Sequence, residues 1–316
     1  MAKRSIVVLA GGFGGSKMAH GFAMVAPELG LDVSIVVNTG DDLELHGLSI
    51  SPDLDTVMYT LAGWANTTTG WGVRDETWSS AEMLGRYGAP TWFRLGDRDL
   101  ATHLVRTQRL REGERLTAIT AHLASSLGVT ARILPMTDHR VRTMIRTADG
   151  WMAFQDWFVG RHHADPVLEL RFDGIGDARP TAEALRAIAS AERIVFAPSN
   201  PFVSIGTILA APGMEAAIRE AGAPVTAVSP IVGGAAIRGP ADAMLMSLGG
   251  ESSALGIARH YATNYPGLVR NLVIDRSDAD HASEIEALGM GATITSTVMT
   301  TDAERAQLAR SIVGDG

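Results

Sequence analysis

The chain has no cysteine in its 316 residues. Disulfides, thiolate nucleophiles and Cys-ligated zinc or iron–sulfur clusters are thereby excluded, and any metal must be held by oxygen or imidazole ligands. Nor is there an excess of basic residues. The 27 Lys and Arg face 35 Asp and Glu, a formal charge of −8, which leaves no general attraction to nucleic-acid backbones or anionic membranes. Repeats and low-complexity tracts are absent and the 34 glycines are spread along the chain, as in an ordinary globular protein. An uncharged stretch from Ile194 to Met214 is interrupted by Pro198, Pro201 and Pro212, which would break a membrane helix. Met1-Ala-Lys-Arg4 leads into an apolar run too short for a secretory h-region, so the expected location is cytoplasmic.

What is present reads as an α/β protein. Ser5 to Leu9 has the β-branched character of a buried parallel strand; Gly11, Gly12, Gly14, Gly15 and Lys17 follow in "AGGFGGSK", and a helix is expected over Ser16 to Val25. "DVSIVVNTGDD" (32–42) predicts a second strand. "SISPDLDTVMYTLAG" (49–63) predicts a helix, with Ser51 as N-cap, Pro52 at its first position, acids in its first turn and Gly63 as terminator. Residues 75–128 read as mostly helical; "TARILPM", "VRTMIRT" and "WMAFQDWFV" read as short strands, with a hairpin turn at Ala148-Asp-Gly150. The α/β rhythm resumes at 193–201 and continues to a last strand at 292–299 and a C-terminal helix. The expected architecture is one domain over 1–316, a doubly wound, Rossmann-like, mostly parallel sheet with a helical and small β subdomain inserted at about 75–165.

Several clusters carry chemistry. The glycine-rich stretch lets backbone approach a ligand and precedes a helix N-terminus, which suits phosphate, with Lys17 adding charge. Its spacing is neither a P-loop nor a complete GxGxxG, and a tight structural turn would also explain it. Asp41, Asp42, Asp53 and Asp55 sit on the second strand's loop and the next helix start, where converging carboxylates suit Mg²⁺, or else only cap and turn. "FRLGDRDLATH" crowds Arg94, Asp97, Arg98, Asp99 and His103 together, a pattern surface ion pairs also produce. Ser199 and Asn200 in "PSNP", and Gly233 in "SPIVGG", close two later strands at the same sheet edge. Arg140 and Arg142, at alternate positions of a strand, share one face and can clamp an anion. No Ser-His-Asp order or HExxH pair stands out, which favours chemistry by positioning and charge neutralisation, as in phosphoryl transfer.

"VVNTGDD", "ISPDLDTVMYTLAG", "TWFRLGDRDLATH", "ARILPMTDHRVRT", "PSNPFVSIG", "SPIVGG" and "SALGIARHY" together resemble the 2-phospho-L-lactate transferases of coenzyme F-420 biosynthesis, the CofD and FbiA group, in collinear order over nearly the whole chain. The resemblance implies transfer of a phospho-acid unit (2-phospho-L-lactate, phosphoenolpyruvate or 3-phosphoglycerate) from its guanosine diphosphate ester to the ribityl hydroxyl of the deazaflavin Fo, with release of GMP. It implies a homodimer with Mg²⁺ as cofactor, for which Asp41, Asp42 and Asp55 are candidate ligands with Asp53 behind, and Asp41, Asp42 and Asp55 as the catalytic group. Substrate would meet Asp55, Arg94, Asn38, Asp97, Arg98 and Arg142, and nucleotide would meet Gly11, Gly12, Gly14, Gly15, Lys17, Ser199, Asn200 and Gly233. The chain departs from the family pattern at Phe13 and at Ala235 and Ala236. A non-catalytic nucleotide-binding regulator on the same fold is the alternative.

Overall fold

The computed structural model describes residues 3–314, so the first two residues of the N-terminal reading lie outside it. Strand β1 (Arg4–Ala10) is buried from Ile6 onward, the signature of a strand covered on both faces. It passes directly into helix α1 (Gly12–Leu29). The glycines expected as a loop before Ser16 are therefore the first turn of the helix itself. Gly12, at φ 61°, supplies a left-handed residue that other amino acids adopt only at a cost. β2 (Leu31–Val37) pairs in parallel with β1 along its whole length. A hairpin of β3 (Leu43–Leu45) and β4 (Leu48–Ile50) precedes α2 (Pro52–Leu61). Pro52 opens α2 as expected, but the Ser51 hydroxyl makes no cap and donates instead to Asp42 Oδ2 at 2.8 Å.

The middle of the chain forms α3 (Ser79–Arg86), α4 (Asp97–Arg111) and α5 (Leu116–Ser126). β5 (Arg132–Pro135), inside the segment read as an insertion, pairs with β2 and joins the main sheet. β6 (Arg142–Thr147), β7 (Gly150–Ala153) and β8 (Glu169–Asp173) form a separate antiparallel sheet reaching beyond residue 165. The turn at Ala148-Asp149 is the expected hairpin. In "WMAFQDWFV" only the first residues are strand; Asp156–Gly160 is a π-helical turn. Phe154 stacks on Phe158 at 5.3 Å and Trp157 is buried beneath, an i to i+4 contact that an extended strand cannot make.

β9 (Arg193–Phe196), β10 (Val225–Val228), the short hairpin of β11 (Ile231–Val232) and β12 (Ala235–Ala236), β13 (Asn271–Asp275) and β14 (Gly291–Thr295) complete the strands; β14 ends at Thr295, short of the expected Met299. The main sheet is parallel throughout, in the order β14-β13-β10-β9-β1-β2-β5. It winds outward from β1 in one direction and from β9 in the other, so the doubly wound expectation holds and the order reverses between β1 and β9. Open α/β sheets bind ligands at that reversal, beyond the strand C-termini. Val7 and Leu9 face one core, Ile6, Val8 and Ala10 the other. Among the described residues no single helix is long and apolar enough to cross a membrane.

The C-terminal helix Asp302–Gly314 packs on α1 so closely that a Cβ at Gly21 would lie 2.3 Å from the Arg305 carbonyl oxygen. Gly21→Ala is expected to cost about 1–3 kcal/mol, because backbone rather than a flexible side chain must move. Gly176→Ala, whose Cβ meets nothing within 4 Å, is the control and should stay within about 0.5 kcal/mol of the parent. Thermal melts of the two variants decide the point: equal melting temperatures would refute the close-packing argument.

Candidate functional site

Residues far apart in sequence are bonded together at the sheet reversal. Ser199 Oγ accepts from the Gly11 N–H at 3.1 Å and donates to the Gly11 carbonyl at 2.8 Å. Asp53, from the first turn of α2, accepts from the Gly12 N–H at 2.7 Å and from Asn38 Nδ2 at 2.9 Å. Asn38 in turn accepts from the Gly40 N–H at 2.8 Å. Two expected nucleotide contacts, the Gly11 and Gly12 amides, are thus spent on protein groups. A Cβ at Gly14 would lie 2.2 Å from the Pro198 carbonyl and one at Gly15 2.6 Å from Ser199 Oγ, so both glycines are required for packing; of the four, Gly12 alone has open space beside it. Lys17 Nζ lies over the Phe13 ring at 4.3 Å and Arg238 over the same ring at 4.7 Å. Burial, then the charges of Arg305 and Arg238, lower the Lys17 pKa. Asn200 caps the turn after β9 by accepting from Phe202 and Val203, and the Gly233 N–H donates to Asp278.

The carboxylates beside this junction are electrostatically exposed to one another. Asp41 and Asp53 are buried; Asp42 is part-exposed as a residue, yet its Oδ1 is out of solvent. Burial, then the neighbouring Asp53 charge, pushes Asp41 well above the usual carboxylate range. Burial pushes Asp42 up to about 7 against the Ser51 hydrogen bond and Arg142, and Asp53 up to about 6 against Asn38 and the Gly12 N–H. Among the described residues none of the three forms an ion pair. Oδ1 of Asp41 and Oδ1 of Asp42 have no hydrogen-bond partner. Two orphaned carboxylate oxygens that no cation pairs fit a hard divalent ion, which prefers oxygen ligands.

Asp55 has a different environment. Asp99, His103 and Arg106 lie at i, i+4 and i+7 of α4 and so share one face. Arg106 Nη1 donates to Asp55 Oδ2 at 3.0 Å and Nη2 donates to Oδ1, a buried bidentate pair. His103 lies between, with Nδ1 3.2 Å from Arg106 Nη1 and Nε2 3.3 Å from Asp99 Oδ1, to which Tyr59 also donates at 2.8 Å. Asp55, Asp99 and His103 present ligand atoms within 4.8 Å of one another and could hold a metal ion. The guanidinium already on Asp55 opposes that, so Asp41 and Asp42 suit a divalent cation better. Arg106 escaped the sequence reading; the i, i+4, i+7 spacing from Asp99 was the available signal.

Asp41 and Asp42 line a cavity of about 430 Å³ together with Arg140, Arg142, Trp92 and Phe154. Both arginines line it, but Arg140 lies before β6, so strand alternation does not account for their shared wall. Arg94, Asp97 and Arg98 do not line it. Arg94 stacks over Trp78 at 4.2 Å. Asp97 accepts from the Thr77 hydroxyl and from the Ser79 and Ser80 N–H groups, which hold it down to about 2. Arg98 donates to the Arg74 carbonyl at 3.2 Å.

A family model described as 2-phospho-L-lactate transferase CofD matches residues 6–310. Proteins named phosphoenolpyruvate transferase are similar to this chain: that of Streptomyces griseus subsp. griseus is 46% identical over 310 residues, 96% of each chain. That of Streptomyces coelicolor is 44% identical over 310 residues, again 96% of each. A Bacillus halodurans protein of the UPF0052 family superposes with a TM-score of 0.68 over 99% of each chain at 14% identity, a likeness of fold.

The raised Asp42 pKa fixes the sign of a pH dependence. Below about pH 4 the carboxyl is protonated in folded and unfolded chains alike; between about 4 and 7 only the unfolded chain ionises, so the group's contribution to stability falls as pH rises. Above about 7 the penalty is constant and largest. Asp42→Asn, which keeps an acceptor for Ser51, is therefore expected to be more stable than the parent at pH 8 without divalent ions, by about 1–3 kcal/mol, the gain shrinking toward pH 5. Denaturant titrations at both pH values measure it, and a variant equally or less stable at pH 8 would refute the electrostatic reading.

Proposed function

This chain belongs to the 2-phospho-L-lactate transferase CofD family, and on that premise we propose that it moves a phosphoenolpyruvate unit from its guanosine diphosphate ester to the ribityl hydroxyl of the deazaflavin Fo in F-420 biosynthesis. The ribityl oxygen forms a bond to the phosphorus that carries the acid. The anhydride P–O bond to GMP breaks, GMP leaves with that oxygen and the electron pair, and the hydroxyl proton passes to solvent. The choice of phosphoenolpyruvate rests on the names of the similar Streptomyces proteins.

The observation that carries this reading is the pair of orphaned oxygens on Asp41 and Asp42, lining a cavity between the segment after β2 and the small antiparallel sheet. A sensor that only binds nucleotide has no use for buried carboxylates that destabilise one another. Asp41 and Asp42 would hold Mg²⁺, with Asp53 tied behind them; Asp55, expected as a ligand, is engaged by Arg106. When bound, the ion supplies charge neutralisation to the diphosphate. The open side of Gly12 and the Lys17 ammonium serve the guanosine diphosphate. Asp55, buried and held by Arg106 through both oxygens, would support the site by joining α2 to α4 rather than meet the acceptor directly. The chain's groups thus orient and neutralise, without a covalent nucleophile.

Purified protein with Mg²⁺, Fo and the guanosine diphosphate esters of the three phospho-acids is expected to release GMP and form the Fo adduct, fastest with phosphoenolpyruvate. Absence of GMP and adduct with all three would overturn the assignment. Excess chelator should lower turnover at least about a hundredfold, a loss reversed by Mg²⁺; full activity in chelator would show that the acids are structural only.

A further inference from the structure

Arg142 opens β6, and its side chain lines the same cavity as Asp41 and Asp42. The neighbouring arginines of this small sheet are neutralised although they are exposed: Arg146 pairs with Glu169 at 3.0 Å and Arg171 with Asp173 at 2.8 Å. Arg142 is half-buried, where an unpaired charge is more costly, and yet it has no carboxylate at ion-pair distance among the described residues. Its hydrogen bond runs from Nη1 to the adjacent Val141 carbonyl at 2.9 Å, leaving most of a five-donor fork unused. Arg140 adds a second positive charge on the same cavity. Burial lowers the Arg142 pKa and Arg140 adds to that; Asp42 and Glu44 oppose it without contact. The cavity therefore carries both orphaned acids and an uncommitted guanidinium.

Building on the transfer reaction proposed above, the anionic groups of the reactants can be apportioned. The diphosphate belongs with the acids' cation, Gly12 and Lys17, and the reacting part of the acceptor is neutral. What remains is the carboxylate of the three-carbon acid, on the carbon that bears the phosphoester oxygen and so next to the reacting phosphorus. A guanidinium fork matches a carboxylate in a bidentate way that a phosphate-neutralising point charge does not require. We propose that Arg142, supported by Arg140 on the same wall, binds the carboxylate of the transferred phospho-acid and so restricts the enzyme to carboxylated donors.

The test compares the acid donor with the same donor as its carboxylate methyl ester, by kcat/KM for GMP release. The parent protein is expected to prefer the acid by about a hundredfold, the worth of charge-assisted hydrogen bonds to one group. Arg142→Gln should lose about that factor with the acid and less than about threefold with the ester, so that the preference collapses. Arg142→Lys should keep part of it. Equal losses with both donors, or none with either, would overturn the proposal, because Arg142 would then serve the phosphoryl group, the fold or nothing. Melting temperatures of the variants separate a folding defect from a lost contact. If the parent releases no GMP from any donor, the transfer reading itself fails; if it does and the preference survives in Arg142→Gln, only the role of Arg142 fails.

Discussion

The site depends on one carboxylate. Asp53 accepts the Gly12 N–H and the Asn38 amide, and through them it joins the start of α2 to the ends of β1 and β2. The left-handed Gly12 needs a partner for its amide, the Asn38 side chain needs a fixed orientation to hold Gly40, and Asp41 and Asp42 follow immediately from that turn. Ser199 closes the ring from β9 by bonding both backbone groups of Gly11. Such a buried polar network is worth having only if its members are satisfied. Those nearest the sheet are satisfied; the orphaned oxygens lie further out, on the cavity side.

That contrast separates acids which resemble one another in sequence. Asp55 is two residues from Asp53 but is neutralised by Arg106, which is almost completely buried. Burial alone would lower the Arg106 pKa; the Asp55 charge and hydrogen bond, together with the Tyr59 and Asp42 charges, more than offset it, and the guanidinium stays protonated. Asp41 and Asp42 have no such partner, so burial raises their pKa values. A protein selected for stability alone would replace or pair them, since uncompensated buried charge is among the most costly features a fold can carry. Local conflict of this kind, within a fold that is otherwise consistent, marks a site shaped by a ligand.

The legible parts of the fold were those written in local sequence. The apolar run of β1, Pro52 with its acids at the start of α2, and the Ala148-Asp149 turn each follow from neighbouring residues. The sheet reversal followed from the order of α/β units. What could not be read came from long-range contacts: β5 returns to pair with β2 about a hundred residues away, and Ser199 meets Gly11 across 188 positions. The glycine cluster shows a related ambiguity. Gly14 and Gly15 look like a phosphate cradle, but their missing side chains make room for the Pro198–Ser199 loop, and a sequence does not say whether a glycine is kept for a ligand or for another part of the chain. Asp97 illustrates the same ambiguity. It lies in one of the stretches that carry the family resemblance, yet its carboxylate caps α3.

The small antiparallel sheet then has a role beyond support. It hangs from the main sheet where the Thr143 N–H donates to the Gly40 carbonyl at 2.7 Å, one residue from Asp41 and one from Arg142. Arg142 and Thr143 both line the cavity, and a shift of that strand by one residue would move both from their places, because side chains alternate across a strand. The backbone bond to Gly40 fixes the register, and Gly40 is itself fixed by Asn38 and hence by Asp53. The acidic and cationic walls of the cavity are therefore set by one continuous chain of hydrogen bonds, running from the end of β1 through Asp53, Asn38 and Gly40 to β6. Chemistry that relies on placing charge rather than on a nucleophile requires this: the walls must hold their separation before substrate arrives, since reorganising them during the reaction would add to the barrier.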